Sequence, residues 1–306
     1  MSLVTATAFQ QSPAVQTRSF VVLAALAVQD VDDDLLYQIL VAFRNVLGKA
    51  DETNTMVIVS MLRCLCRVVP AVVGTSRYIC LLFWLAIALL QVSHLGFYVE
   101  ATWLLRVTLD NMEHRGLFKT KSVETVLLEA REHIDDVMSQ LDDMLRISFI
   151  RSFSFSLASI IFKGMRHSTQ KESAEAVLRT LLRVTSRAHS ESPHEAKSSP
   201  CAEAMGYFIA LLPASTTRKA FRKLLTDANV EQQPFTEVTD SDEAEKSTPI
   251  VDASILGIED PELALLTASF IGTMLATAQG NDAETEILYS LLSTLTKSYP
   301  DTITMM

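Results

Sequence analysis

Apolar residues recur at three- and four-residue intervals through most of this chain, which is the spacing of helices that bury one face. The pattern breaks at capping residues, Gly or Pro, so it predicts many short helices. The first eight predicted helices span residues 19–28, 34–47, 54–72, 76–92, 97–113, 122–146, 152–162 and 171–188, and further helices begin near 200, 261 and 282. Gly48 is expected to stop the second helix, and Gly164 to end the seventh in the left-handed conformation.

Many amphipathic helices joined by short loops predict an all-α fold. We expect an α-solenoid of HEAT- or armadillo-like antiparallel helix pairs, with about a dozen helices. A compact bundle is the alternative, but this number of helices exceeds what one bundle core usually organises. The composition agrees, because 306 residues include only nine Gly and nine Pro, and an apolar fraction of 49% supplies ample core.

Two stretches of low hydrophobicity divide the predicted array. Residues 1–228 form the helical repeats, interrupted at about 190–199 by a mobile loop rich in Ser, Pro, Glu and Lys. Residues 229–258 form an acidic linker, which we expect to be disordered, because six carboxylates are accompanied by Lys246 alone between residues 229 and 250. Residues 259–306 are predicted to be a final helix pair.

The net charge of −10 argues against a broad nucleic-acid-binding surface, because such affinity comes mainly from clustered Lys and Arg. The apolar run from Ile79 to Leu90 is too short for a transmembrane helix, which needs about 20 apolar residues. A helix buried on all sides explains it better. The first residues carry no basic region, so no secretory signal is expected.

Four cysteines are too few for a disulfide scaffold and fit a reduced intracellular compartment; we expect the chain to be cytoplasmic. Cys64 and Cys66 have no second pair at zinc-finger spacing, so buried structural thiols are favoured over a metal site. The six histidines include no HExxH motif, and the chain has neither a phosphate-binding Gly-rich loop nor a nucleophile elbow. We therefore predict no metal, no cofactor and no catalytic residue.

Two basic clusters are candidate partner-binding sites. Arg179, Arg183 and Arg187 repeat at four-residue intervals and share one helix face, where solvated charge is the simpler interpretation and an acidic or phosphorylated partner is the functional one. The second cluster comprises Arg218, Lys219, Arg222 and Lys223. It precedes the acidic linker, so the alternatives are an intramolecular latch, strengthened by phosphorylation near Ser241, and a linker that contacts nothing.

Three strings resemble a known family, the C-terminal helical-repeat region of neurofibromin and the fungal Ira-type Ras GTPase-activating proteins. They are Leu81-Leu-Phe-Trp-Leu-Ala-Ile-Ala-Leu-Leu-Gln91, Phe149-Ile-Arg-Ser-Phe-Ser-Phe-Ser-Leu157 and Lys163-Gly-Met-Arg-His167. The signature residues are Phe83, Trp84, Phe149, Arg151, Phe153, Phe155, Leu157, Lys163, Gly164, Arg166 and His167. For the aromatic members, packing between repeats is favoured over a partner-facing surface.

The resemblance implies a non-catalytic scaffold within a negative regulator of Ras signalling. The activating domain, which supplies an arginine to the transferring phosphoryl group, has no counterpart in this sequence, so Arg151 and Arg166 are expected to be structural. The resemblance also implies self-association as a homodimer of the full-length parent, docking of protein partners, and contact with a Ras-family GTPase through a domain outside this chain. Any membrane association would come from other parts of the parent.

Two departures from the family pattern matter. Animal members carry a longer, basic nuclear-import segment where residues 229–250 are short and acidic, so nuclear import is not carried over. The match also begins and stops within the repeats, so we expect the chain to be a segment of a larger polypeptide. The alternative function is a stand-alone helical-repeat adaptor in trafficking or import.

Overall fold

Helices account for nearly all the regular structure in the described part of the chain. The structure, a computed structural model, describes residue 8 and residues 12–27, 31–48, 54–91, 95–145, 147–188, 198–231, 253–278 and 282–300. The α-helices are α1 (Pro13–Leu26), α2 (Asp33–Leu47), α3 (Thr55–Val68), α4 (Ile79–Gln91), α5 (Tyr98–His114), α6 (Val123–Arg131), α7 (Asp135–Leu145), α8 (Phe153–Met165), α9 (Lys171–Ala188), α10 (Met205–Leu211), α11 (Arg218–Asp227), α12 (Pro261–Thr277) and α13 (Asp282–Ser298). The predicted all-α, solenoid-like fold class is confirmed.

The helices divide into two compact units. The first unit contains α1 to α5 and residues 126–138, and the second contains residues 121–125, residues 139–145 and α8 to α13. Residues 190–197 of the predicted loop 190–199 lie outside the described residues, as do residues 232–252 of the predicted linker 229–258. The predicted domain boundaries therefore stay a prediction.

In the first unit, α3 packs against both α1 and α5, and α5 packs against α4. The core is built around Trp84, which is fully buried and whose indole N–H donates a 2.8 Å hydrogen bond to the Leu127 carbonyl. The Arg131 guanidinium lies 4.8 Å from the centre of the Trp84 ring. A buried indole needs such a partner for its N–H, and here α6 provides it.

In the second unit, α8 packs against α9, α10 and α12, and α12 packs against α13. The ring of Phe270 on α12 lies edge-on to Phe155 and Phe162 of α8, with centroid distances of 5.9 Å and 6.1 Å. Gly206 of α10 allows a very close approach, since a Cβ atom there would lie only 2.5 Å from the Ser154 carbonyl carbon. Aromatic packing and one glycine contact thus bring these helices together.

Several predicted helix ends are corrected by the structure. Gly164 lies inside α8 without a positive φ, so the prediction that it ends the helix in the left-handed conformation is wrong. The helix predicted over 122–146 is broken by a 3₁₀ turn at Glu132–Ile134. The helix predicted to reach residue 72 ends at Val68, because Pro70 has no N–H for the next turn.

Three helix ends follow capping chemistry that is visible in the sequence. Asp260 accepts hydrogen bonds from the backbone N–H groups of Glu262 and Leu263, directly before Pro261 at the first position of α12, as predicted. Asp32 and Thr217 cap α2 and α11 in the same way. Among the described residues, no helix is long and apolar enough to cross a bilayer.

Candidate functional site

Most signature residues lie in the two cores. Phe83 and Trp84 are fully buried in the first unit and meet edge-on at 5.3 Å. The buried signature residues of the second unit are Phe149, Phe153, Phe155, Leu157 and Gly164. Arg151, Lys163 and His167 are exposed, and Arg166 is half-buried. The alternation of Phe and Ser that resembles a strand is part of helix α8 from Phe153 onward, and Ser154 and Ser156 are buried with the aromatic residues.

Arg166 contacts several elements of the second unit. It forms a 2.7 Å ion pair with the Glu284 carboxylate, whose side chain is only 6% exposed. A second guanidinium nitrogen donates a 2.9 Å hydrogen bond to the carbonyl of Met274, and the group stacks 4.7 Å above the ring of Phe162. These contacts join α8 to α12 and α13, so Arg166 acts as a clamp within the second unit.

Arg179 is likewise engaged within the fold. Its guanidinium contacts Glu175 at 2.9 Å and Asp227 at 2.7 Å, and only 14% of its side chain is exposed. This group therefore ties α9 to α11 rather than facing an open surface. Arg183 and Arg187 follow on the same face of α9, where Arg183 is half-buried and Arg187 is exposed.

The second basic cluster forms an exposed face on α11. Phe221, Leu224 and Leu225 point into the core at helical spacing. The opposite side carries Lys219, Arg222 and Lys223, all exposed, with Arg218 half-buried beside them. We call Lys219, Arg222 and Lys223 the α11 basic face. Because its charges are displayed by a short, well-anchored helix, it offers a fixed set of donors for carboxylate or phosphate oxygens.

Cys64 and Cys66 are both buried in the first unit. Burial raises the pKa of the Cys64 thiol to about 12 and raises that of Cys66 further, with the nearby Glu100 carboxylate contributing. Both groups therefore stay protonated at neutral pH, and neither is available as a thiolate ligand or nucleophile. The described residues contain no group of three or more His, Cys, Asp or Glu that could hold a metal ion.

One arrangement was missed by sequence analysis. Arg63 and Arg67, one turn apart on α3, face Glu100 and Trp103, three residues apart on α5. The only sequence signal was the i, i+4 spacing of the two arginines, since their partners lie about 37 residues further along the chain. Finding the arrangement requires knowing that α3 packs on α5.

The chain was compared with models of known protein families. No family model matches it.

Proposed function

We propose that this chain is a non-catalytic, cytoplasmic helical-repeat segment of a neurofibromin-like Ras GTPase-activating protein, a negative regulator of Ras signalling. Its work is to support self-association or partner docking, while the activating domain lies outside the chain. The observation that carries the proposal is the resemblance of residues 81–91, 149–157 and 163–167 to that family. The contacts of these strings are consistent with a scaffold role, because most of their side chains pack helices together.

The engagement of Arg166 also supports a structural rather than catalytic role for the signature. An arginine that stabilises a transferring phosphoryl group must present its guanidinium to a bound nucleotide. The Arg166 guanidinium instead forms an ion pair with Glu284 and donates a hydrogen bond to the Met274 carbonyl. Arg151 is exposed and lies in the turn that precedes α8.

The α11 basic face is the surface that best suits partner docking in the second unit. It concentrates three cations on one side of α11, in a chain whose net charge is −10. An acidic or phosphorylated protein segment is the partner that such a face would attract, and the attraction should weaken with salt. The alternative function, a stand-alone adaptor in trafficking or import, would use the same face without any link to Ras.

The size of the native protein separates the two functions. An antibody raised against residues 81–170 should detect a polypeptide several times larger than the 33.9 kDa of this chain. A native band near 33.9 kDa would contradict the scaffold proposal and favour the adaptor.

The docking role is tested in that intact protein by three charge reversals, Lys219→Glu, Arg222→Glu and Lys223→Glu. We expect a rise in cellular Ras-GTP, while the purified intact variant should accelerate GTP hydrolysis by Ras as well as the unsubstituted protein does. The matched control reverses three exposed cations elsewhere in the second unit, through Arg151→Glu, Lys171→Glu and Lys297→Glu. Equal effects from the two sets would mean that the α11 basic face has no special role.

A further inference from the structure

A groove in the first unit combines apolar walls with a pair of oriented arginines. Its volume is about 1020 Å³, and it lies between α1, α3 and α5. Val21, Ala24 and Ala25 of α1 form one wall, and Val99 of α5 contributes to the other. The side chains of α1 continue the apolar surface outward, since Val21, Val22 and Leu26 are 58%, 46% and 48% exposed. An apolar patch of this kind, as opposed to single exposed residues, is typical of an interaction site.

Arg63 is fixed by a buried carboxylate. Its Nε and Nη2 atoms donate hydrogen bonds of 3.0 Å and 2.8 Å to the same Glu100 oxygen. Only 9% of the Glu100 side chain is exposed, whereas 60% of the Arg63 side chain is exposed. Glu100 thus neutralises Arg63 and holds it at the edge of the groove.

Arg67 is oriented in a different way. Its guanidinium lies over the ring of Trp103, 5.4 Å from the ring centre, and the residue is exposed. Within the described residues, its side chain forms no salt bridge and no hydrogen bond. Stacking on an aromatic face leaves the N–H donors at the edge of a guanidinium free, while it limits the orientations of the group.

The charges of the groove therefore do not cancel. Arg63 and Arg67 carry two positive charges, and among the described residues that line the groove Glu100 is the one carboxylate. The unmatched charge belongs to Arg67, whose fork of donors suits a carboxylate in a bidentate contact. Arg67 is exposed in the free chain, and a partner seated on the apolar walls would exclude water from it, so this contact should be stronger than one at an open surface.

We propose that this groove binds an amphipathic helix of a partner protein, with a carboxylate on Arg67 and small apolar side chains against α1. A helix fits better than an extended peptide, because strand addition needs a sheet edge and the described residues contain only an isolated bridge between Val31 and Val72. One unmatched cation beside apolar walls suits a single Glu or Asp flanked by apolar residues. A single cation would not neutralise the several charges of a nucleic acid or an anionic membrane surface. This inference does not depend on the proposed function.

The partner chemistry is tested by selection from a phage-displayed library of 16-residue helical peptides, with the whole chain as target. We expect the enriched peptides to share an acidic residue with apolar neighbours three and four positions away. Binding of the best peptide, measured by calorimetry, should weaken at least about tenfold for Arg67→Gln, as expected for loss of a charged hydrogen-bonded pair. Peptide binding should also be lost in Val21→Asp, which places a charge in the apolar wall at an exposed position and so does not disturb the core.

The matched control is Arg106→Gln, which removes an exposed arginine of α5 that does not line the groove and should leave binding unchanged. Trp103 emission provides an independent readout, since the other tryptophan, Trp84, is fully buried. Absence of enriched helices, enrichment without an acidic residue, or equal binding by Arg67→Gln would each overturn the proposal. Two further results would overturn it if no helical peptide is enriched. Self-association that is lost with Arg67→Gln would mean that a second copy of the chain occupies the groove. Binding to anionic phospholipid vesicles that is lost with Arg67→Gln would mean that a membrane does.

Discussion

Arg151 and Arg166 belong to the same signature but have different surroundings. Arg166 pairs with a nearly buried carboxylate and stacks on Phe162, whereas Arg151 is exposed. A buried ion pair contributes little when both partners are present, but removal of one partner leaves an uncompensated charge in the interior. The two arginines should therefore differ strongly in their effect on stability.

Arg166→Ala is expected to lower the free energy of unfolding by about 3 kcal/mol, because Glu284 would lose its counter-charge and the Met274 carbonyl a donor. Arg151→Ala should change it by no more than about 0.5 kcal/mol. Urea denaturation followed by circular dichroism measures both. Because the two side chains form one ion pair, the combined effect of Arg166→Ala and Glu284→Gln should be smaller than the sum of the single effects. A combined effect equal to that sum would mean that the two side chains are not coupled.

The clamp formed by Arg166 shows where residue-level prediction from sequence ends. The motif marks Arg166, and a structural role could be expected from the resemblance alone. Its partner Glu284 lies 118 residues further along the chain, beyond the region of strong resemblance. The pairing depends on the packing of α8 against the final helices, which no local pattern encodes.

Helix placement was predictable where apolar periodicity and a cap agree. The predicted ranges 34–47 and 171–188 match α2 and α9 almost to the residue. Prediction failed at the 3₁₀ turn of Glu132–Ile134, which has no Gly or Pro to mark it, and at Gly164, which is buried inside α8. Glycine is permissive enough to continue a helix when tertiary packing favours it, so its presence alone does not fix a helix end.

Gly206 sets the distance between α8 and α10. An added Cβ would lie 2.5 Å from the Ser154 carbonyl carbon and 2.6 Å from the Phe155 nitrogen, and backbone atoms cannot move aside as a flexible side chain would. Gly206→Ala should therefore cost about 2 kcal/mol in the free energy of unfolding, typical of overpacking. Thermal denaturation should show a lower Tm.

The control for this substitution is Gly272→Ala on α12. A Cβ there would meet no atom within 4 Å, and alanine has the higher helix propensity. We expect Gly272→Ala to be neutral or to stabilise the chain by up to about 1 kcal/mol. Equal destabilisation by the two substitutions would show that loss of glycine flexibility, and not close helix contact, is responsible.

The two compact units have separate hydrophobic cores. The large side chains of the first core include Trp84, Phe83 and Phe43, and those of the second include Tyr207, Phe208 and Phe149. Composition predicts enough apolar residues for such cores, but it does not predict where the chain divides. The boundary falls within one helix, because Val123 to Thr125 of α6 belong to the second unit and the remaining residues of α6 to the first. In repeat architectures stability is roughly a sum over neighbouring elements, so local damage need not spread through the chain.

Native-state hydrogen exchange tests this division directly, because exchange of a protected amide reports the free energy of the opening that exposes it. Gly206→Ala should speed exchange in α8 and α10 and leave the amides of α3 to α5 unchanged. The reciprocal substitution is Leu105→Ala, which removes a fully buried side chain from α5 and typically costs about 2–5 kcal/mol. It should speed exchange in α3 to α5 and leave α8 and α10 protected. Faster exchange throughout the chain in both variants would mean that the cores open together, and local packing would then no longer explain why each substitution destabilises the protein.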